Sequence, residues 1–308
     1  MKVYSEECFV KIYLGVPRGF CAGVVRAVNI VDLAIKKYGT PVYVKHQIVH
    51  NPHVVSDLES KGAITVDDVN DIPVGSKVVF SAHGSPPEDF RKAEERNLQV
   101  IDATCPLVIK VHNEAIKYSN EGRKLLMVGH KGHQEVKGTM GQTDMQLIDD
   151  RDEFIVPDWD IDTPISVITQ TTLSVEDTNK TISNIKNHFK NVIVRNDLCY
   201  ATTNRQLAVK EICQYVDLFL VIGAENSSNC NRLREVAENN GVPSYLINNL
   251  EDLDNEWLRD VQNVGITSGA STPEKLVQDI IDYITPDQIM HMGGNEENIT
   301  FNLPLELR

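Results

Sequence analysis

Three segments of this 308-residue chain repeat one plan: a β-rich run, a cysteine at its end, then a helical pattern. They read YLGVPRGFCAGVVRAV, VIDATCPLVIKVHNEA and IVRNDLCYATTNRQLAV and carry Cys21, Cys105 and Cys199, which lie 84 and then 94 residues apart. A repeated supersecondary unit constrains a fold more tightly than any local propensity, because each copy must bury its apolar face in the same way. Each cysteine is followed by a polar loop after the next β-rich run: His50 lies 29 residues beyond Cys21, His133 lies 28 beyond Cys105 and Ser228 lies 29 beyond Cys199. A second polar loop follows in each segment, at SAHGS (81–85), TQTTLS (169–174) and TSGAS (267–271). In parallel α/β sheets the loops at the carboxyl ends of the strands build the binding site. A pseudo-threefold arrangement of three such units would bring all of these loops to one centre.

The rest of the chain supports this plan. Ten β-rich runs stand out: Val10–Gly15, Val42–Val44, Lys77–Ser81, Gln99–Asp102, Leu125–Val128, Ile165–Ile168, Asn191–Arg195, Leu218–Ile222, Ser244–Ile247 and Val264–Thr267. Amphipathic stretches lie between them, and several end at a glycine suited to a helix C-cap: Gly39, Gly122 and Gly241. Alternation of this kind predicts βαβ units, an α/β fold and largely parallel sheets. Length alone suggests two domains at roughly 150 residues each. The repeat replaces them with three: residues 22–105, residues 106–198, and residues 1–21 joined to 199–285. From Pro286 to Arg308 the periodicity is lost, and the stretch reads as a tail packed across one unit or partly mobile.

Charge and composition exclude several classes. Thirty basic and 44 acidic residues give a net charge of −14, which argues against a nucleic-acid partner held by bulk charge. The chain is 41% hydrophobic and 24% charged, as in ordinary globular proteins. No apolar run approaches the ~20 residues that span a bilayer. The opening MKVYSEECFV has acids where a secretion signal needs an apolar stretch, so the expectation is a cytoplasmic protein with no membrane partner.

Six cysteines without a CxxC pair fit neither a disulfide scaffold nor a zinc ribbon. Cys8 opens a strand and Cys213 falls on an apolar helix face, so both read as core; Cys230 has no counterpart in the other units. The bland account of Cys21, Cys105 and Cys199 is that small residues suit tight strand-to-helix turns, but their matching positions favour a shared task. Three thiolates can hold zinc with one open position, or an iron–sulfur cluster with one iron free of protein ligands. His50, His53, His83, His130 and His133 fall in or beside the polar loops, and with Ser227, Ser228, Asn229 and Ser271 they offer hydrogen-bond donors. SSNCNRLREVA opens a helix whose free N–H groups favour an anion, so a phosphorylated or diphosphorylated substrate is expected. No Walker loop and no GxGxxG fingerprint is present. Glu135, two residues beyond His133, is either a general acid or an ordinary first-turn acid complementing a helix dipole. Thr171 and Thr172 stand ready to orient a hydroxyl or relay a proton.

The motifs PRGFCAGV, VHNPHVV, FSAHGS, DATCPLV, GHKGHQEVKGTMGQ, TQTTLS, DLCYATTNRQ, IGAENSSNCNR and TSGAST, running in order from about residue 12 to 285, resemble the 4-hydroxy-3-methylbut-2-enyl diphosphate reductase family, also called IspH or LytB. The resemblance implies a three-lobed α/β trefoil around a 4Fe–4S cluster held by Cys21, Cys105 and Cys199, with one iron open to substrate. It implies reductive loss of an allylic hydroxyl to give isopentenyl and dimethylallyl diphosphates, the last step of the non-mevalonate isoprenoid pathway. By position, His50, His83, His133, Ser227, Ser228, Asn229 and Ser271 would bind the diphosphate. Glu135 would deliver the proton, with Thr171 and His133 beside it. The electron donor would be a ferredoxin or flavodoxin. Such donors are usually acidic like this chain, so docking would need a basic patch, for which Lys36/Lys37, Arg123/Lys124 and Lys131/Lys137 are candidates. Two rival readings stay open on the residues alone: a zinc-dependent hydrolase or lyase acting on a phosphorylated substrate, and a non-catalytic iron–sulfur sensor. The family pattern has no counterpart to Cys230 among its cluster ligands and none to the tail.

Overall fold

The computed structural model describes residues 9–195, 197–294 and 297–308. The expectation for Cys8 therefore falls outside the described residues. In chain order, strand β1 (Lys11–Val16) leads into helix α1 (Ala22–Tyr38). There follow β2 (Val42–Lys45), α2 (Pro52–Ser60), β3 (Ala63–Val66), β4 (Lys77–Phe80), α3 (Pro87–Glu95) and β5 (Gln99–Asp102). The same sequence of elements recurs as α4 (Pro106–Asn120), β6 (Lys124–Val128), α5 (Gln134–Met140), β7 (Gln146–Ile148), β8 (Ile165–Thr169), α6 (Val175–His188) and β9 (Val192–Val194). It recurs again as α7 (Tyr200–Ile212), β10 (Leu218–Ile222), α8 (Ser228–Asn239), β11 (Ser244–Ile247), β12 (Asn263–Ser268), α9 (Glu274–Ile284) and β13 (Gln288–Gly293).

These strands form three parallel sheets with one strand order: β3-β2-β4-β5, β7-β6-β8-β9 and β11-β10-β12-β1, the last extended at its edge by β13. The expected α/β class with parallel sheets is what the chain adopts. In each sheet the strand that leads to a cysteine lies beside the strand that leads to the second polar loop: β5 beside β4, β9 beside β8, and β1 beside β12. In the third sheet the cysteine-bearing strand comes from the start of the chain.

Two compact units contain these sheets. The first runs through Ala22, takes in His50–Val54 and resumes from Tyr200 to Thr300; it holds the five-stranded sheet. Its strands are covered on both faces, which is why they read as unbroken apolar runs. Leu218, Leu220 and Ile222 of β10 pack with Ile12, Leu14, Val264 and Ile266 against Val277, Ile280 and Ile284 of α9. The alternate residues Phe219 and Val221 join Tyr13 on the opposite face, against Val209 and Ile212 of α7 and Leu233 and Val236 of α8.

The second unit spans Gly23–Val49, Val55–Cys199 and Phe301–Arg308, and holds both four-stranded sheets. Leu126, Val128, Ile165 and Val167 pack on Ile182 and Ile185 of α6, while Met127 and Ile168 turn to Val111 and Ala115 of α4. Val78 and Phe80 of β4 pack on Ala93 of α3, with Val69 and Ile72.

All ten β-rich runs are strands. The three not anticipated, β3, β7 and β13, are sheet-edge strands. Pairing with a neighbouring strand is what makes them strands. The stretch after Pro286, expected as a tail packed across one unit or partly mobile, opens with β13, in parallel register with β1 from Lys11 opposite Gln288 to Val16 opposite Gly293. No helix among the described residues is long and apolar enough to cross a membrane.

Candidate active site

The three repeated cysteines share one backbone connection. The N–H of Cys105 donates to the Ala82 carbonyl at 3.0 Å, that of Cys199 to Thr171 at 3.1 Å, and that of Cys21 to Ala270 at 3.1 Å. Each acceptor lies in the second polar loop of its sheet, so strand adjacency fixes every cysteine against SAHGS, TQTTLS or TSGAS. All three side chains are half-buried, and none forms a disulfide. Cys105 occupies the N-cap position of α4. Half-exposed thiols at the ends of rigid strands, with no disulfide partner, form a donor set suited to soft metal ligation.

In the first unit, Ser227 caps α8 by accepting from the Cys230 N–H, so that Ser228 and Asn229 form the helix's first turn. Both amide atoms of Asn229 lack a hydrogen-bond partner although only 5% of the residue is exposed. A buried amide without partners at the positive end of a helix is a group waiting for an acceptor-rich anion. Ser271 is anchored from the neighbouring strand, its hydroxyl donating to the His50 carbonyl at 3.1 Å. Ser227, Ser228, Asn229, Ser271 and His50 thus belong to one local group.

In the second unit, His133 caps α5, with its Nδ1 accepting from the Glu135 N–H at 3.2 Å. The rings of His133 and His83 stand edge to face with centroids 5.9 Å apart, and His83 Nδ1 lies 3.3 Å from Ser81 Oγ. Glu135 is buried, and its Oε1 accepts from the Thr171 N–H at 2.7 Å while its Oε2 accepts from the Thr171 hydroxyl at 3.0 Å. Burial pushes its pKa up to about 7; the two bonds from Thr171 oppose the shift and the Asp197 charge adds to it. The reading of Glu135 as a mere dipole-complementing acid fits poorly, since such an acid faces solvent and stays ionised. Glu135, Thr171 and Cys199 are joined in one connected path, because the Thr171 carbonyl holds the Cys199 N–H.

Several contributing residues were not foreseen. The Gln170 Oε1 accepts from the His130 N–H at 3.0 Å and its amide donates to Thr172 Oγ1 at 2.9 Å, bracing the loop on either side of Glu135. The Asp197 carboxyl is raised by burial and by Glu114, with Lys110 opposing. Tyr200 Oη accepts from the Ala22 N–H at 3.2 Å, beside Cys21. All three lie inside the quoted motifs, but nothing local in the sequence separates them from their neighbours. His130, for its part, places Nε2 3.0 Å from a buried Asp150 carboxylate oxygen, with Asp149 nearby. Asp149 is already taken by the Arg151 guanidinium, at 2.6 and 2.8 Å, so this cluster reads as ion pairs. Cys213 follows α7 against the core, and burial raises its thiol pKa to about 11. Arg123 is committed to the Ile165 carbonyl, Ser166 and Asn191, whereas Lys131 and Lys137 are exposed on either side of His133 and Glu135.

The LytB protein family model matches residues 12–285. The 4-hydroxy-3-methylbut-2-enyl diphosphate reductase of Zymomonas mobilis is 48% identical over 306 residues, covering 97% of this chain and 90% of that protein. 4-Hydroxy-3-methylbut-2-enyl diphosphate reductase 2 of Bradyrhizobium diazoefficiens is 49% identical over 309 residues, covering 97% and 99%. Among solved structures, the E-1-hydroxy-2-methyl-but-2-enyl-4-diphosphate reductase of Plasmodium falciparum matches with a TM-score of 0.91 at 36% identity, over 97% of both chains. With nearly its whole length matched in sequence and in structure, the chain belongs to the LytB family.

Proposed function

We propose that this chain performs the reaction for which its relatives are named: two-electron reductive removal of the allylic hydroxyl of (E)-4-hydroxy-3-methylbut-2-enyl diphosphate. The products are isopentenyl and dimethylallyl diphosphates, the last step of the non-mevalonate isoprenoid pathway. The observation that carries this reading is the path Glu135–Thr171–Cys199. It ties a buried, proton-holding carboxyl to the backbone of a repeated cysteine. An iron–sulfur cofactor is consistent with the family, and the donor set fits one. Cys21, Cys105 and Cys199 would hold a 4Fe–4S cluster, one thiolate from each of three equivalent lobes (residues 22–105, 106–198, and 1–21 with 199–285). When bound, such a cluster supplies the electrons and a Lewis-acidic iron without a protein ligand.

The chain's own residues do the rest. Asn229, Ser227, Ser228 and Ser271 at the start of α8 and the TSGAS loop hold the diphosphate with neutral donors, joined by His50, His83 and His133. This is how a chain of net charge −14 accepts an anionic substrate. Clamping the diphosphate positions the hydroxymethyl end and removes an entropic part of the barrier. Glu135, still carrying its proton near neutral pH, delivers it to the departing hydroxyl, and Thr171 fixes the orientation of the carboxyl group. His133, which caps the helix that bears Glu135, keeps that acid in register with the loop. The electron donor is a ferredoxin or flavodoxin type of protein, and the compartment is the cytoplasm.

Anaerobic purification followed by iron, acid-labile sulfide and zinc analysis, with a reduced-dye assay on the hydroxymethylbutenyl diphosphate, tests this reading. Iron and sulfide with little zinc, and turnover to the two products, is the expected result. Zinc without sulfide would point to the hydrolase reading; a cluster without turnover or diphosphate binding would point to a sensor.

A further inference from the structure

Cys230 has no counterpart in the repeat and no place in the proposed cluster. Its side chain is fully buried, so it is not a reactive surface thiol. It sits where two loops meet, one after β10 and the other after β12. A Cβ on Gly223, which follows β10, would fall 2.3 Å from the Cys230 sulfur, and one on Gly269, which follows β12, would fall 2.1 Å from it. The thiol is also within hydrogen-bond reach of the Ser227 and Thr272 hydroxyls and of the Ala224 and Gly269 amides. Thr272 in turn donates to the Ile222 carbonyl at 3.0 Å, and the Gly269 N–H donates to the same carbonyl at 3.0 Å. The sulfur therefore fills a socket whose two walls are bare backbone. Those walls continue directly into Ser227–Asn229 on one side and Ser271 on the other.

We infer that Cys230 is a positioning residue for the diphosphate: its sulfur locks the α8 loop and the TSGAS loop into one preformed anion site. The inference rests on the proposed reading of Ser227, Ser228, Asn229 and Ser271 as diphosphate ligands. A sulfur atom is large enough to hold two glycine backbones apart at van der Waals distance, and a methyl group leaves the socket unfilled. Preorganised donors bind without first being ordered, so loosening the two loops weakens binding even though no ligating group is removed.

The test uses the cluster-loaded, anaerobically purified enzyme and two probes, the allylic diphosphate as substrate and inorganic diphosphate as competitive inhibitor. Cys230→Ala is expected to raise KM and the inhibition constant about tenfold, with the effect falling on these and not on kcat, and with iron and sulfide content retained. Cys230→Ser, which keeps a polar atom in the socket, should lie between the two. A double-mutant cycle tests whether the sulfur and the TSGAS loop act through each other, with a thermal melt of each variant to separate loss of binding from loss of folding. Gly269→Ala in the parent forces a Cβ into the sulfur, whereas its other neighbours, Thr272 Oγ1 and Asn229 Nδ2, are at 3.4 and 3.5 Å. Diphosphate binding should therefore collapse in Gly269→Ala and recover in part in Cys230→Ala/Gly269→Ala. Asn229→Ala separates the two levels of the reading. If Asn229→Ala leaves diphosphate inhibition unchanged, the ligand assignment fails. If Asn229→Ala weakens inhibition but Cys230→Ala does not, or if the double variant binds no better than Gly269→Ala, the positioning role is overturned.

Discussion

In the proposed reaction Glu135 is the acid, and its titration can be followed. Its folded pKa of about 7 stands above the ordinary 4.5 of a glutamate. The folded protein therefore binds more protons than the unfolded chain between these values. Its contribution to stability falls as pH rises through that window, and the full penalty is present above about pH 7. Glu135→Gln removes the titration. In the cluster-free protein it should flatten this part of the pH–stability curve and gain about 3 kcal/mol relative to the parent at pH 8 compared with pH 4, read from denaturant midpoints. The same substitution takes away the transferable proton, so kcat should drop at least a hundredfold while iron, sulfide and substrate affinity are retained. An unchanged steady-state rate would remove Glu135 from the mechanism. Cys105→Ser is the matching test of the thiolate set: sulfide and iron should fall well below parent levels in anaerobically isolated protein, and full content would falsify the ligand assignment.

Short structural elements decide where these residues stand. The first turn of α8 carries the donors proposed to bind the diphosphate, and Ser227 caps it. Ser227→Ala should cost about 1 kcal/mol of stability by losing the cap, together with a weaker competitive effect of inorganic diphosphate. Thermal melts and inhibition assays on one preparation would check both. The helix start at Ser227 was legible in SSNCNRLREVA because a cap serine precedes an amphipathic run. Strands β3, β7 and β13 were not legible, although β5, β9 and β11, which also lie at sheet edges, were. Gln170 and Asp197 act through bonds to loops distant in sequence, and no local pattern reports such bonds.

At the scale of the whole molecule, the stretch beyond Pro286 is built into the first unit through β13 and through Glu297. The buried Arg205 guanidinium donates to Glu297 at 2.8 Å and to the Gly19 carbonyl at 2.9 Å, two residues before Cys21. Glu297→Ala leaves that cation without its carboxylate, which should cost roughly 3 kcal/mol. A fall of several degrees in apparent Tm is the expected outcome, and an unchanged melt would show that the carbonyls of Gly19 and Ala201 suffice. Further along, the Asn302 carbonyl accepts from Arg26 within the second unit, whose backbone contacts include the Thr104 carbonyl beside Cys105. The tail residues thus brace the loop of one repeated cysteine in each unit.

The sequence by itself determined the repeat, the α/β class, the ten strongly apolar strands and the three cysteines. Each of these is written in periodicity or in fixed spacing, and these follow directly from side-chain alternation and from copies of one unit. It also marked Glu135, but left open whether that carboxyl was an acid or a helix-dipole partner. Only the tertiary structure shows the burial that raises its pKa and the two opposing bonds from Thr171, a residue 36 positions away. Likewise, Cys230 stood apart from the repeat with no role until the backbones of Gly223 and Gly269 closed on its sulfur. Desolvation and packing are properties of what surrounds a residue, and for a chain built from three repeats those surroundings come from strands far apart in sequence.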